Sequence, residues 1–206
     1  MRRTVVILAV LGVGLWLVVA ADEGRGPLAT RETRHLRAVK DRAEPPLTYE
    51  EKSLESFARL PAKLPLEEFA RLEQRGVSVE GYVQRIERSF DGDFHLTVVS
   101  QPSTERGRGE RYVTAEVTPG WWKGSTSWSF ERLVEAFGSD RSGVTAGARH
   151  PRRVRISGWL MYDYWYDALP AWTFDRKHRM SGWEVHPVTR IEIWNDVQKT
   201  MVELPR

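Results

Sequence analysis

The spacing of apolar and polar residues changes character twice along the chain. From Thr4 to Ala21 there is no period: the run is apolar on every side, Arg2–Arg3 precede it and Asp22–Glu23 close it. A basic start followed by an apolar stretch fits an export signal, and Val19-Ala20-Ala21 offers a small-residue cleavage site before Asp22. About 17 apolar residues also reach the lower limit for a membrane-spanning helix. Residues 1–21 are therefore read as either a signal peptide or a retained transmembrane anchor. Both readings keep Arg2–Arg3 inside and export the remainder to a periplasmic or other extracytoplasmic space, with residues 4–21 holding it to the inner membrane if they are not cleaved.

Residues 22–47 are charged and carry Gly24, Gly26, Pro27, Pro45 and Pro46, the composition of a linker with one short helix near 31–43. In the segment 48–76, Thr48 with Glu51 resembles a capping box that opens a helix to about Leu60. Pro61 and Pro65 end it. Leu66 to Gln74 has helical spacing, and Gly76 stops it.

From Val77 the period becomes two, and a barrel is expected over 77–196, with 197–206 as a tail. Val77, Val79, Gly81, Val83 and Ile86 mark a first strand, whose interior glycine suits a bend or bulge. Asp91-Gly92 is a hairpin signal. Phe94, Leu96 and Val98 alternate in a second strand, residues 101–110 form a polar loop, and Tyr112 to Val117 make a third strand. Phe130, Leu133, Val134 and Phe137 then return to helical spacing over about 127–137, with Ser129 placed to cap. A loop through Gly143, Gly147 and Pro151 leads to a fourth strand, Val154–Tyr162. A long aromatic loop over 163–181 precedes a fifth strand, Trp183–Trp194. Three strands, one helix and two strands is the order of the OB-fold, so the fold class is mainly β: a five-strand Greek-key barrel, preceded by an apolar N-terminal helix and short helices. The competing reading is another small α+β barrel or sandwich.

Composition narrows the chemistry. The absence of cysteine excludes disulfides, thiolate catalysis, Cys-ligated zinc and a lipid-modified cysteine anchor. The net charge of +3 does not concentrate on the barrel, where 18 Lys/Arg from Val77 onward face 17 Asp/Glu. A dedicated nucleic-acid binder carries a stronger basic footprint. The nine tryptophans must fill a core, line a ligand face, or both.

The segments Val154-Arg-Ile-Ser-Gly-Trp-Leu-Met-Tyr-Asp163 and Gly182-Trp-Glu-Val-His-Pro-Val-Thr-Arg-Ile-Glu-Ile193, with Gly81-Tyr-Val83, Asp93-Phe-His-Leu96 and Thr114-Ala-Glu-Val117, resemble an uncharacterised family of bacterial exported OB-fold proteins. The resemblance spans roughly Val77–Trp194. It implies the fold and no established activity. Resembling sequences carry a histidine shortly after the aspartate that ends the fourth strand. Here Asp163 is followed by Tyr164, Trp165, Tyr166 and Asp167, so a histidine role at that point does not carry over.

Two groups of residues are candidates for function. Asp91, Asp93 and His95 lie at the first hairpin, Asp163 and Asp167 follow the fourth strand, and Glu184 and His186 open the fifth. In an OB-fold the loops after strands one and four flank the ligand face, so Asp93, His95, Asp163, Glu184 and His186 form a candidate polar cluster. Histidine with carboxylates suits a divalent metal or acid–base chemistry. The alternative is structural: Asp91 and Asp93 shape the turn, His95 and His186 make fixed hydrogen bonds, and Pro187 marks a bulge. The second group is an aromatic ligand face, Tyr162, Tyr164, Trp165 and Trp172, near Trp121 and Trp122. Arg176, Lys177, His178 and Arg179 in the same loop are placed to meet an anion. Stacking on bases or sugars is one use of such rings, and closing one end of the barrel is the other. There is no Gly-x-Ser-x-Gly elbow, and Glu105-Arg-Gly-Arg-Gly-Glu110 lacks the Lys-Ser/Thr of a phosphate loop.

The reading is a non-enzymatic, exported binding module that needs no cofactor. Its ligand would be a peptide or protein partner, then a glycan, and nucleic acid last. The alternative is a metal-dependent hydrolase that uses the Asp/His/Glu cluster.

Overall fold

The computed structural model describes residues 29–102, 110–142, 145–148, 151–168, 170 and 176–206. The chain separates into two compact units, residues 1–40 and 41–206. In the first unit the described residues form helix α1 (Arg31–Lys40). The apolar run Thr4–Ala21 lies outside the described residues. Among those described, no helix is long and apolar enough to cross a membrane.

The second unit is built on five strands: β2 (Gly76–Arg88), β3 (Phe94–Val99), β4 (Tyr112–Val117), β7 (Arg153–Tyr162) and β8 (Trp183–Asn195). β2 pairs with β3 and β3 with β4, both antiparallel. β4 meets β8 in parallel at Ala115 and Val185. β8 pairs with β7, and β7 returns to β2, which closes the barrel. A single turn, α4 (Pro119–Trp122), and helix α5 (Phe130–Ala136) follow β4, and α5 begins where expected: the Ser129 hydroxyl accepts from Arg132 N at 3.3 Å. Its Phe130, Leu133 and Val134 join the apolar core with the inward residues of all five strands. This is an OB-fold-like barrel, and the strand limits agree with those read from the alternation to within a residue or two.

β2 reaches both halves of the barrel because it bends. Its register shifts between Val83 and Arg85. At Gly81 an added Cβ would lie 2.5 Å from the Val99 carbonyl oxygen, so only hydrogen fits there.

Four expectations change. Thr48 and Glu51 do not cap a helix: β1 (Tyr49–Lys52) pairs in parallel with Gly76–Val79, and a single turn, α2 (Leu54–Phe57), follows. The edge of β2 is a stronger partner for this segment than its own local hydrogen bonds. The loop after α5 contains a hairpin, β5 (Ser139–Ser142) with β6 (Thr145–Ala148), which pairs with Arg85–Glu87. The tail forms β9 (Thr200–Glu203) on β8. Residues 41–47 belong to the barrel unit instead of a linker.

That last correction has a cause in the tryptophans. Trp121 Nε1 donates to the Arg42 carbonyl at 2.8 Å, Trp159 to Glu44 at 2.9 Å and Trp183 to Pro61 at 2.7 Å. Trp128 donates to Leu204 at 3.1 Å. The Arg42 guanidinium also lies over the Trp159 ring, 4.4 Å from its centroid. Indoles rooted in the barrel thus hold the preceding and following segments against it. α3 (Leu66–Leu72) adds Phe69, stacked on Tyr162 at 4.3 Å and near Trp183 at 5.6 Å.

Trp183 is 1% exposed. Trp183→Ala is expected to cost about 3–5 kcal/mol in chemical denaturation. Trp159→Phe removes mainly one hydrogen bond and should cost about 1 kcal/mol, with faster amide exchange confined to residues near 42–46. Equal losses for the two variants would contradict this assignment.

Candidate functional site

Strand alternation sends the even-numbered and odd-numbered residues of β3, β4 and early β8 to opposite faces. Phe94, Leu96, Val98, Val113, Ala115, Val117, Trp183 and Val185 enter the core. His95, Glu116, Glu184 and His186 consequently lie on the outer face. In an OB-fold this is the ligand face, flanked here by the loop 89–93 and the segment 163–182.

On that face ionisable side chains form a chain of contacts. His95 and Glu116 are register partners, with Nε2 and Oε1 3.3 Å apart. The parallel contact of β4 with β8 brings Glu116 beside His186, whose Nδ1 is 3.1 Å from Glu116 Oε2 and 3.1 Å from Glu184 Oε1. Arg179 Nη2 donates to Glu184 Oε2 at 3.0 Å, and its Nη1 donates to Asp163 Oδ2 at 3.1 Å. Asp93, the last residue of the 89–93 loop, places Oδ2 3.7 Å from His186 Nε2. His186, Glu184, Asp93, Glu116 and Arg179 are between 0% and 6% exposed.

Local structure fixes each member. Asp91 Oδ1 accepts from Asp93 N at 3.3 Å and shapes the turn. Asp163 Oδ1 accepts from Trp165 N at 3.0 Å at the start of the short helix α6 (Tyr164–Ala168). Arg179 is set by backbone pairing with Tyr112, which donates to His178 O at 2.9 Å and accepts from Met180 N at 2.8 Å. The β7–β8 register is irregular around Gly158, where an added Cβ would lie 2.3 Å from the Pro187 carbonyl. The bulge expected at Pro187 is therefore present, directly after His186.

All five residues of the expected polar cluster join this network. His95 and Asp163 are its two ends, and Glu184, His186 and Asp93 are interior. Two further members, Glu116 and Arg179, complete it. Arg179 was expected to meet an external anion, but Asp163 and Glu184 occupy its guanidinium. The aromatic face needs correction at Tyr162, which is 2% exposed and packs between Phe69 and Trp183. Tyr164 is half-buried against Phe69 and Tyr162, and Trp165 is half-buried. Trp172 lies outside the described residues. Trp121 is buried, and Trp122 stacks on Phe94 at 4.9 Å.

Two sets of side chains have metal-ligand proximity. One ligand atom each from Asp93, Glu116 and His186 lie within 4.8 Å of one another, as do those of Asp91, Asp93 and His95. The first set is buried throughout and the second opens to solvent at Asp91. No protein-family model and no curated protein sequence matches the chain. The class of the protein thus rests on its own geometry: an OB-fold-like barrel with a buried ionic network on the outer face of β3, β4 and early β8.

Among the described residues, four carboxylates (Asp93, Glu116, Glu184 and Asp163) face one guanidinium, Arg179, and two imidazoles, the buried His186 and the part-exposed His95. Removing one member leaves charge buried without its counterpart. Arg179→Met is expected to cost about 3–5 kcal/mol at neutral pH, measured by urea denaturation. A loss below about 1 kcal/mol, the range of an exposed pair, would mean the network is open to water.

The network also sets a pH dependence. Burial, with the repulsion of Glu116, lifts the Glu184 carboxyl from 4.5 to about 7 despite His186 and Arg179. Burial opposes charge on His186, yet Glu116 and Glu184 outweigh it and raise the imidazole from 6.5 to about 10. Both folded values exceed the unfolded ones. Their contribution to stability is therefore full at acid pH and is lost as pH rises through the folded values. In chelator-treated protein the urea midpoint should fall from about pH 6 to about pH 9. A rising midpoint would contradict the assignment.

Proposed function

We propose that the protein is a non-enzymatic binding module that takes a positively charged ligand on the outer face of β3, β4 and early β8. The observation that carries this reading is the excess of carboxylates over cations in the buried network on that face. Both flanking loops contribute to it, Asp93 from one and Asp163 with Arg179 from the other. A polyanion would meet repulsion there, so nucleic acid is the least suitable ligand. A neutral glycan would rely on rings, and Tyr162 belongs to the core. Among peptide and protein partners, those presenting Lys or Arg are favoured. Binding is preferred to hydrolysis because His186, Asp93 and Glu116 are at most 6% exposed, whereas a partner can reach the network at its more open ends, His95 and Asp163. The apolar run behind Arg2–Arg3 supports placing the module outside the cytoplasm.

The test uses the full chain in mild detergent with four probes: a divalent metal, a lysine-rich peptide, chitotetraose and oligothymidine. At least one cationic probe should bind, with affinity that falls as salt rises. Binding of oligothymidine or chitotetraose with no response to either cation would overturn the reading.

A further inference from the structure

Among the ionisable atoms of the network, His186 Nε2 has an unusual position. It is buried, and it makes no hydrogen bond among the described residues. A buried polar nitrogen left in that state costs free energy, so its surroundings need an explanation. It faces Asp93 Oδ2 at 3.7 Å, too far for a hydrogen bond. The distance is instead close to that between two donors on one ion. Ligands about 2.0–2.2 Å from a metal, at angles from tetrahedral to about 120°, lie roughly 3.4–3.6 Å apart.

We propose that Asp93, Glu116 and His186 form a binding site for one divalent transition-metal ion. This inference rests on the cationic-ligand reading above and names its ligand. Three observations agree. The ligand atoms of the three side chains lie within 4.8 Å of one another. The three come from separate parts of the barrel: the end of the 89–93 loop, β4 and β8. A divalent cation offsets the carboxylate excess that the face otherwise buries.

The donor set selects the metal. Calcium prefers six to eight oxygens, whereas one imidazole with two carboxylates suits zinc or manganese. Glu184 and Arg179 would then serve as positioning residues. Glu184 Oε1 lies 3.1 Å from the imidazole Nδ1, as does one oxygen of Glu116, and Arg179 holds Glu184 at 3.0 Å. An outer carboxylate of this kind orients a histidine toward a metal on its other nitrogen. Burial suits an ion that ties the 89–93 loop to β8, not one that turns over substrate.

The full chain is stripped with chelator, dialysed against Zn²⁺, Mn²⁺ or Ca²⁺, and analysed for bound metal and thermal midpoint. The expected result is one equivalent of Zn²⁺ or Mn²⁺ retained with a raised midpoint, and no Ca²⁺. His186→Gln removes a ligand, but it also disrupts a fully buried position and can unfold the protein. Asp93→Asn is therefore tested beside it, since it keeps the shape of the turn; a folded Asp93→Asn protein should bind at least tenfold more weakly. Glu131→Gln, on the exposed side of α5 and outside the network, should retain the metal. Retention by folded Asp93→Asn, or loss in Glu131→Gln alone, overturns the site. If no metal binds but the lysine-rich peptide does, the metal site fails and the cationic-ligand reading stands. If neither binds, both fail.

Discussion

A five-strand barrel closes only where its third and fifth strands meet, and here β4 and β8 do so in parallel at Ala115 and Val185. The arrangement on the outer face of β3, β4 and early β8 follows from this contact. It places Glu116 beside Glu184 and His186, far apart in sequence, and alternation sends all three outward while Ala115 and Val185 enter the core. A shift of one residue in either strand would exchange the two sets, burying carboxylates in the barrel and exposing its apolar lining. The ionic network and the core are therefore two faces of one register.

The network is costly as a means of stability alone. Apolar residues of similar volume often do as well or better in such places. Its order suggests a positional role. Asp163, Arg179 and Glu184 run from the segment after β7 to β8, and His186, Glu116 and His95 continue across β4 to β3. Asp93 joins from the neighbouring loop. Both loops that border this outer face are thus tied to the strands through charge, whereas α5 seals the barrel interior through apolar contacts.

The five barrel strands and α5 were legible because each buries one face, and burial leaves a period in the sequence. The Ser129 cap was legible because its hydrogen bond is local. β1 was not: Thr48 and Glu51 satisfy a helix-start pattern, and their true partner begins at Gly76. β5, Ser-Asp-Arg-Ser, is wholly polar and β6, Thr-Ala-Gly-Ala, is made of small residues, so neither carries a readable alternation. Within the site, Asp93, His95, Asp163, Glu184 and His186 could be named from residue type and nearness to the flanking loops. Glu116 could not, since a lone acidic residue in an alternating strand reads as solvent-facing until its opposite number, His95, is known. Tyr162 was misplaced because its cover, Phe69, arrives from a helix whose docking site the local sequence does not encode.

The tryptophan hydrogen bonds have an evolutionary consequence. Trp121, Trp122, Trp128, Trp159 and Trp183 all donate to main-chain carbonyls, those of Arg42, Gly92, Leu204, Glu44 and Pro61. A carbonyl is supplied by any residue. The indoles are thus constrained in identity, while the segments they grip are constrained mainly in path. Related chains can diversify the exposed positions among residues 42–61, altering the outer surface of the module, provided that Leu54 and Phe57 stay apolar in the core.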